Sequence, residues 1–239
     1  MTSIVPTREA ATAAPVTHAA PARPRRSLWP YAGIVSALAP GVSGVALVQG
    51  PGTFRDSTTW GSTDLVVANL NTALSIRIGA GVALLGLVAA FAFLLGLTRF
   101  VARHAPLRGG LIEAMRWASI AFLATGSIGV VIRYIAGGAV PGAGDIPMYT
   151  REAAATLAVL ADQLTSAAFL PVLAVMALVG VAAVRDRVLA PAVGVVALLL
   201  TAASLAMTLV LGLPYSASLV YPLFALVVGV AGVLSRKRA

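Results

Sequence analysis

Between Arg77 and Arg99 the chain reads IGAGVALLGLVAAFAFLLGLT (residues 78–98), with no charged side chain in it. A helix rises about 1.5 Å per residue, so this stretch makes a rod of about 32 Å, matching a hydrocarbon core of roughly 30 Å. It lacks the short apolar/polar alternation of a barrel strand. In lipid every backbone N–H and C=O must be satisfied within the segment, so the reading is a transmembrane helix.

Five further stretches have the same character: Trp29 to about Val48, Trp117 to about Ile135, about Leu164 to Val184, Ala192 to Leu213, and about Ser216 to Ser235. The expected fold class is therefore all-α, a polytopic transmembrane bundle of six spans. Composition agrees. Of 239 residues, 59% are hydrophobic and only 10% charged, with mean hydropathy +0.94. A soluble domain carries about 25% charged residues, and this chain has too few to cover a water-facing surface, which excludes a soluble enzyme. With no cysteine, disulfides, thiolate nucleophiles and cysteine metal sites are excluded as well.

The chain is nevertheless basic, with 17 Lys and Arg against 8 Asp and Glu and a pI near 11.2. In a soluble protein that would suggest nucleic acid. Here the arginines fall between apolar runs, no nucleic-acid motif is present, and no nucleic-acid partner is expected. Their distribution reads as topology, because positive residues are retained on the cytoplasmic side. Arg8, Arg23, Arg25 and Arg26 precede the first span; Arg99, Arg103, Arg108 and Arg116 flank the second-to-third connection; Arg185 and Arg187 follow the fourth; Arg236, Lys237 and Arg238 close the chain. The other side has Arg55, Arg77, Arg133 and Arg151, a split of thirteen to four. Both termini are expected to be cytoplasmic in a multi-pass protein of the cell (plasma) membrane. Aromatic residues fit the same map, with Trp29, Tyr31, Phe100 and Trp117 at inner ends and Tyr134, Tyr149, Tyr215 and Tyr221 at outer ones.

Residues 1–27, rich in Ala, Pro and Thr, read as a disordered basic tail, 28–235 as the membrane domain, and 236–239 as a second basic tail. No small-x-small cleavage site follows the first span, so it is expected to be retained. Two outer connections carry helix-start signals. Ser62, Thr63 and Asp64 precede Leu65, and Thr150 precedes Glu152, so the second and fourth helices are expected to begin outside the membrane.

Small residues at four-residue spacing let helices approach closely in lipid. Such stripes are Gly33/Ala37/Gly41, Gly79/Ala83/Gly86/Ala90, Ala121/Thr125/Gly129 and Ala225/Gly229/Gly232. They predict tight helix contacts, and one of them is a route to a homo-oligomer. Pro40 and Pro171 sit mid-span, where each removes a backbone hydrogen bond and invites a kink. They read either as ordinary membrane prolines or as interrupted helices of an inverted repeat, although the loops of the two halves do not match.

Ionisable residues within a span are costly and are candidate sites unless they reach the interface. Arg77 lies about 33 Å of helix from Arg99, and Asp162 about 35 Å from Arg185, which places both near the outer boundary. Arg133 is only about 26 Å from Arg116, so one or both snorkel along their stems, which brings Arg133 to a similar level. Arg77, Arg133 and Asp162, extended by Gln163 and Ser166, form the candidate ligand-binding cluster. Two guanidiniums facing one carboxylate suit an anionic headgroup or a substrate carboxylate. The competing reading is an interhelical salt bridge. At the inner edge, Glu113 and Arg116 are spaced to pair with each other.

Catalytic chemistry lacks residues. His18 and His104 lie outside the spans, so there are no haem or zinc ligands within them, and neither cofactor nor metal is expected. Ser127 has no His or Lys in any span to activate it, so it reads as a small residue at a helix contact. Asp56, Asp64, Asp145 and Glu152 have no spacing suited to paired-carboxylate hydrolysis.

The Ala32-Gly33 opening, the long connection through Asn69 into Arg77-Ile78-Gly79, and Glu113-Ala114-Met115-Arg116 at the third span resemble a group of small six-span bacterial membrane proteins of unknown function. The resemblance covers most of residues 29–235. It implies the six-helix count and supplies no activity or catalytic residue. The expected function is a non-enzymatic integral membrane protein acting through helix packing, membrane lipids or a membrane protein partner. The alternative is a small transporter or binder of an anionic or amphipathic molecule using the outer Arg/Asp cluster, although Thr125, Ser127, Thr165, Ser166, Thr201, Ser204 and Thr208 are the polar groups inside the spans and no charge sits at their centre.

Overall fold

A computed structural model describes residues 28–47, 73–105, 109–136, 150–213 and 216–236; within them, the side chains of a few helical positions lie outside the description. Every described element is an α-helix: α1 (Trp29–Leu47), α2 (Ala73–His104), α3 (Gly109–Ala136), α4 (Arg151–Ala167), α5 (Leu170–Arg185), α6 (Pro191–Val210) and α7 (Ser216–Arg236). Five stretches are long and apolar enough to cross a membrane: Gly79–His104, Gly109–Ile132, Val159–Arg185, Pro191–Val210 and Ser216–Ser235. The expected first span coincides with α1, an apolar helix of 19 residues that continues across position 40. The described residues are thus all-helical, with the length and apolarity that a membrane crossing requires.

The chain order maps onto a ring. α1 lies against α2, α2 against α3, α3 against α4 and α5, α5 against α6, and α6 against α7, which closes the ring on α1. Trp29 fixes which ends lie together. Its ring packs on Phe93 and Phe100 of α2, with centroids 5.9 and 5.4 Å away, and a methyl built on Gly232 of α7 would meet it at 2.8 Å. The start of α1 and the ends of α2 and α7 therefore share one end of the bundle. Expected at the inner interface, Trp29 is only 7% exposed, because α2 and α7 both approach α1 closely enough to enclose it.

Glycine makes these approaches possible. A Cβ at Gly33 would strike Phe93 at 2.6 Å, and one at Gly229 would lie 2.8 Å from the carbonyl of Pro30. The expected stripes at Gly33, Gly86, Gly129 and Ala225/Gly229/Gly232 do sit at helix contacts. Ala121 does not. It faces outward, and Gly126, packed on Leu87 of α2, takes its place. A further close approach joins α5 to α6, where a methyl on Gly194 would be 2.7 Å from the Gly180 carbonyl.

The expected fourth span is two helices. Pro171 stands at the first turn of α5, where its missing N–H is least costly, and Ala168 and Phe169 form the joint. Both stay in the right-handed helical region, but Phe169 N–H donates to Ser166 and Val172 N–H to Phe169, three residues back instead of four. This is the proline kink expected from sequence, tightened into a break. A further proline, Pro222, lies inside α7.

The expected cap is present: Thr150 Oγ1 accepts from the Ala153 N–H at 3.2 Å, with Glu152 in the first turn. The expected start of the second helix at 62–64 lies outside the described residues, as do residues 1–27 and 237–239; Arg236, expected in the second tail, is the last residue of α7. Two connections need left-handed backbone, at Gly212 (φ 65) after α6 and at Arg187 (φ 54) after α5.

Candidate functional site

The bundle interior is built from Phe, Leu, Val, Ala and Met, and the buried polar residues among those described are Ser36, Thr98, Ser119, Thr201, Ser204 and Ser216. Most of them return a hydroxyl proton to a carbonyl of their own helix, as Thr98 does to Leu94 and Thr201 to Ala197, both at 2.8 Å. No buried side-chain N or O among the described residues lacks a hydrogen-bond partner. The described interior is apolar, and its buried polar side-chain atoms are satisfied.

Its centre is Tyr221. The residue lies about 8 Å along α7 from Ser216 and is 1% exposed, enclosed by the neighbouring helices. Ser36 Oγ donates to the Gly33 carbonyl at 2.9 Å, which commits its single proton. The 2.9 Å contact between Ser36 Oγ and Tyr221 Oη is then made by the tyrosine donating to the serine. The Tyr221 ring packs on Phe169 at the α4–α5 joint (5.1 Å) and on Phe122 of α3 (6.2 Å), and those two rings meet each other at 5.0 Å. One side chain thereby ties α7 to α1, α3 and the broken helix. Sequence reasoning missed this role. The available signal was position: Tyr215 lies beside the span, whereas Tyr221 lies inside it.

A second polar knot joins α6 to α7. Ser216 Oγ lies 3.0 Å from Ser204 Oγ and 2.8 Å from Thr208 Oγ1, and donates to the Ser204 carbonyl at 3.0 Å. These hydroxyls close the short turn through Gly212. They satisfy one another and carry no charge, so they can lock a hairpin but cannot activate a nucleophile.

Of the predicted outer cluster, Gln163 is exposed and Ser166 half-buried on α4. The side chains of Arg77, Arg133 and Asp162 lie outside the described residues. Their helices are placed: Arg77 on α2, Arg133 on α3 and Asp162 on α4. α3 and α4 touch at Gly129, where a methyl would lie 2.6 Å from Thr165 Oγ1 and 3.2 Å from the Ala161 carbonyl. Positions 133 and 162 are thus about one helical turn or less from a contact between their helices. At the opposite edge, two ion pairs lie among the described residues. Arg116 pairs with Glu113 on an exposed face, as the spacing predicts, and Arg185 Nε lies 3.9 Å from Asp186 Oδ1. Among the described residues no group of three or more His, Cys, Asp or Glu is placed to hold a metal ion.

No protein family, curated protein or solved structure matches the chain.

Proposed function

We propose that the protein is a non-enzymatic, six-span integral membrane protein of a bacterial plasma membrane, with both termini in the cytoplasm, that acts through contacts with lipid and with a membrane protein partner or a second copy of itself. The observation that carries the reading is the distribution of side chains. Large apolar residues such as Leu85, Leu199 and Leu209 point outward at 62, 64 and 80% exposure, while the polar groups turned inward are hydrogen-bonded hydroxyls. An outward apolar surface on helices of this length matches lipid, and the described interior offers neither base nor metal ligands. Likeness to the six-span bacterial group belongs to the same proposal.

Two measurements test it. Alkaline carbonate should leave the chain in the membrane pellet. Single cysteines placed at residues 10 and 239 should be labelled by a membrane-impermeant thiol reagent only after permeabilisation. A chain that carbonate extracts, or termini labelled from outside intact cells, would overturn the corresponding part.

One observation favours a second reading, a small transporter or binder of an anionic molecule. The joint at Ala168–Phe169 interrupts a span beside the buried Tyr221, and interrupted helices mark binding sites in many transporters. The outer pair distinguishes the readings. If Arg133 and Asp162 form only a bridge, Arg133→Asp and Asp162→Arg will each lower the amount of folded protein, and the double exchange will restore it. If they bind a ligand, Asp162→Asn will accumulate normally and lose binding.

A further inference from the structure

On α2, Leu85, Val88, Ala92, Arg99 and Arg103 are all exposed and follow one another at three-, four- and seven-residue spacing, which places them on a single face of the helix. The face is apolar over its first part and cationic at its end. From Val88 to Arg99 is about 16 Å, close to one leaflet of a hydrocarbon core of roughly 30 Å. Arg99 and Arg103 thus stand at headgroup depth above a strip that acyl chains cover.

These two guanidiniums are also electrostatically unsettled. They are four residues apart, where like charges repel and destabilise a helix. The carboxylates described at this end are engaged elsewhere, Glu113 with Arg116 and Asp186 with Arg185, and neither Arg99 nor Arg103 has an ion-pair partner among the described residues. A phosphodiester between them would relieve the repulsion, and arginine presents its donors in a fork that fits phosphate oxygens.

We infer that this face of α2 seats an anionic phospholipid, its phosphate held by Arg99 and Arg103 and its acyl chains running along Ala92, Val88 and Leu85. The inference rests on the membrane reading proposed above and adds a ligand to it. The headgroup class follows from charge: each arginine near an anionic surface favours binding by about fivefold, so two distinguish phosphatidylglycerol from zwitterionic phosphatidylcholine by about 30-fold.

The test uses the full chain, reconstituted in bilayers of phosphatidylglycerol and phosphatidylcholine with matched acyl chains and released for native mass spectrometry. Wild type should retain phosphatidylglycerol preferentially. Arg99→Gln and Arg103→Gln should each weaken retention about fivefold and together about 30-fold, while Arg116→Gln, on an exposed arginine already paired with Glu113, should change it less than twofold. Circular dichroism confirms that the variants remain helical. Equal retention by wild type and the double variant would overturn the inference, as would equal retention of the two lipids. Arginine-dependent binding of inorganic phosphate that phosphatidylglycerol does not displace would reassign the pair to a free anion and overturn it too. Carbonate extraction of the chain would end the membrane reading itself, whereas a chain that stays in the bilayer but holds lipid independently of Arg99 and Arg103 ends this inference alone.

Discussion

In a bilayer the Tyr221 hydroxyl has no water to turn to, and Ser36 is the acceptor it has. Interhelical hydrogen bonds in membranes are worth about 0.6 kcal/mol on average and rarely more than about 1.7. Tyr221→Phe and Ser36→Ala should therefore each lower unfolding free energy in mixed micelles by about 0.5–1 kcal/mol. The double variant should cost no more than the larger single one, since both remove the same bond. Tyr221→Ala should cost about 3–5 kcal/mol, because it also empties the space beside the Phe122–Phe169 pair. Additive single losses in the double variant would mean that the two hydroxyls act independently. Arg187 offers a test of the opposite sign. Its φ of 54 places a side chain where only glycine is at ease, so Arg187→Gly should raise the thermal midpoint, corresponding to about 1 kcal/mol.

Among the elements, the α4–α5 joint depends on the absence of an N–H at Pro171. Pro171→Ala would restore a donor for the Ala167 carbonyl, and the four-residue hydrogen-bond pattern should then extend through 168–172. Hydrogen exchange of peptides covering 165–175 should slow; unchanged or faster exchange would show that the rings around Phe169, and not the proline, set the break. At the α5–α6 contact, Gly194→Val would push a branched side chain against the Gly180 carbonyl, costing about 1–3 kcal/mol, measurable as a lower thermal midpoint in detergent. These elements also show what a sequence reveals. The Thr150 cap and the Glu113–Arg116 pair were legible because they are decided within one turn of helix. Helix existence was legible because length and apolarity suffice in lipid. Gly180 and Gly194 escaped because each is isolated in its own helix and becomes a stripe only when two helices are laid together. The burial of Trp29 and Tyr221 was not legible for a related reason: an amphipathic ring suits an interface and an enclosed pocket equally, and neighbours distant in sequence decide whether it is covered.

For the molecule as a whole, the arginines Arg99, Arg103, Arg116, Arg185 and Arg187 stand at the end of the bundle marked by Trp29, on helices that the ring order places side by side. Of the candidate cluster, sequence located the helices, and Gly129 brings two of them together. How their charges are disposed depends on rotamers that spacing does not determine. Ring closure has a consequence for how the protein is made. Most neighbours in the ring are consecutive in the chain and can pair as they leave the ribosome, but α1 is flanked by α2 and by α7, the first and the last of the described helices. Until α7 arrives, Ser36 lacks its tyrosine, and the Trp29 flank that Gly232 later covers stays open. A nascent chain halted before Ser216 would hold that seam unsealed in the lipid. The interval between synthesis of α1 and of α7 is therefore the period in which a membrane protease or chaperone could tell an unsealed copy from a sealed one.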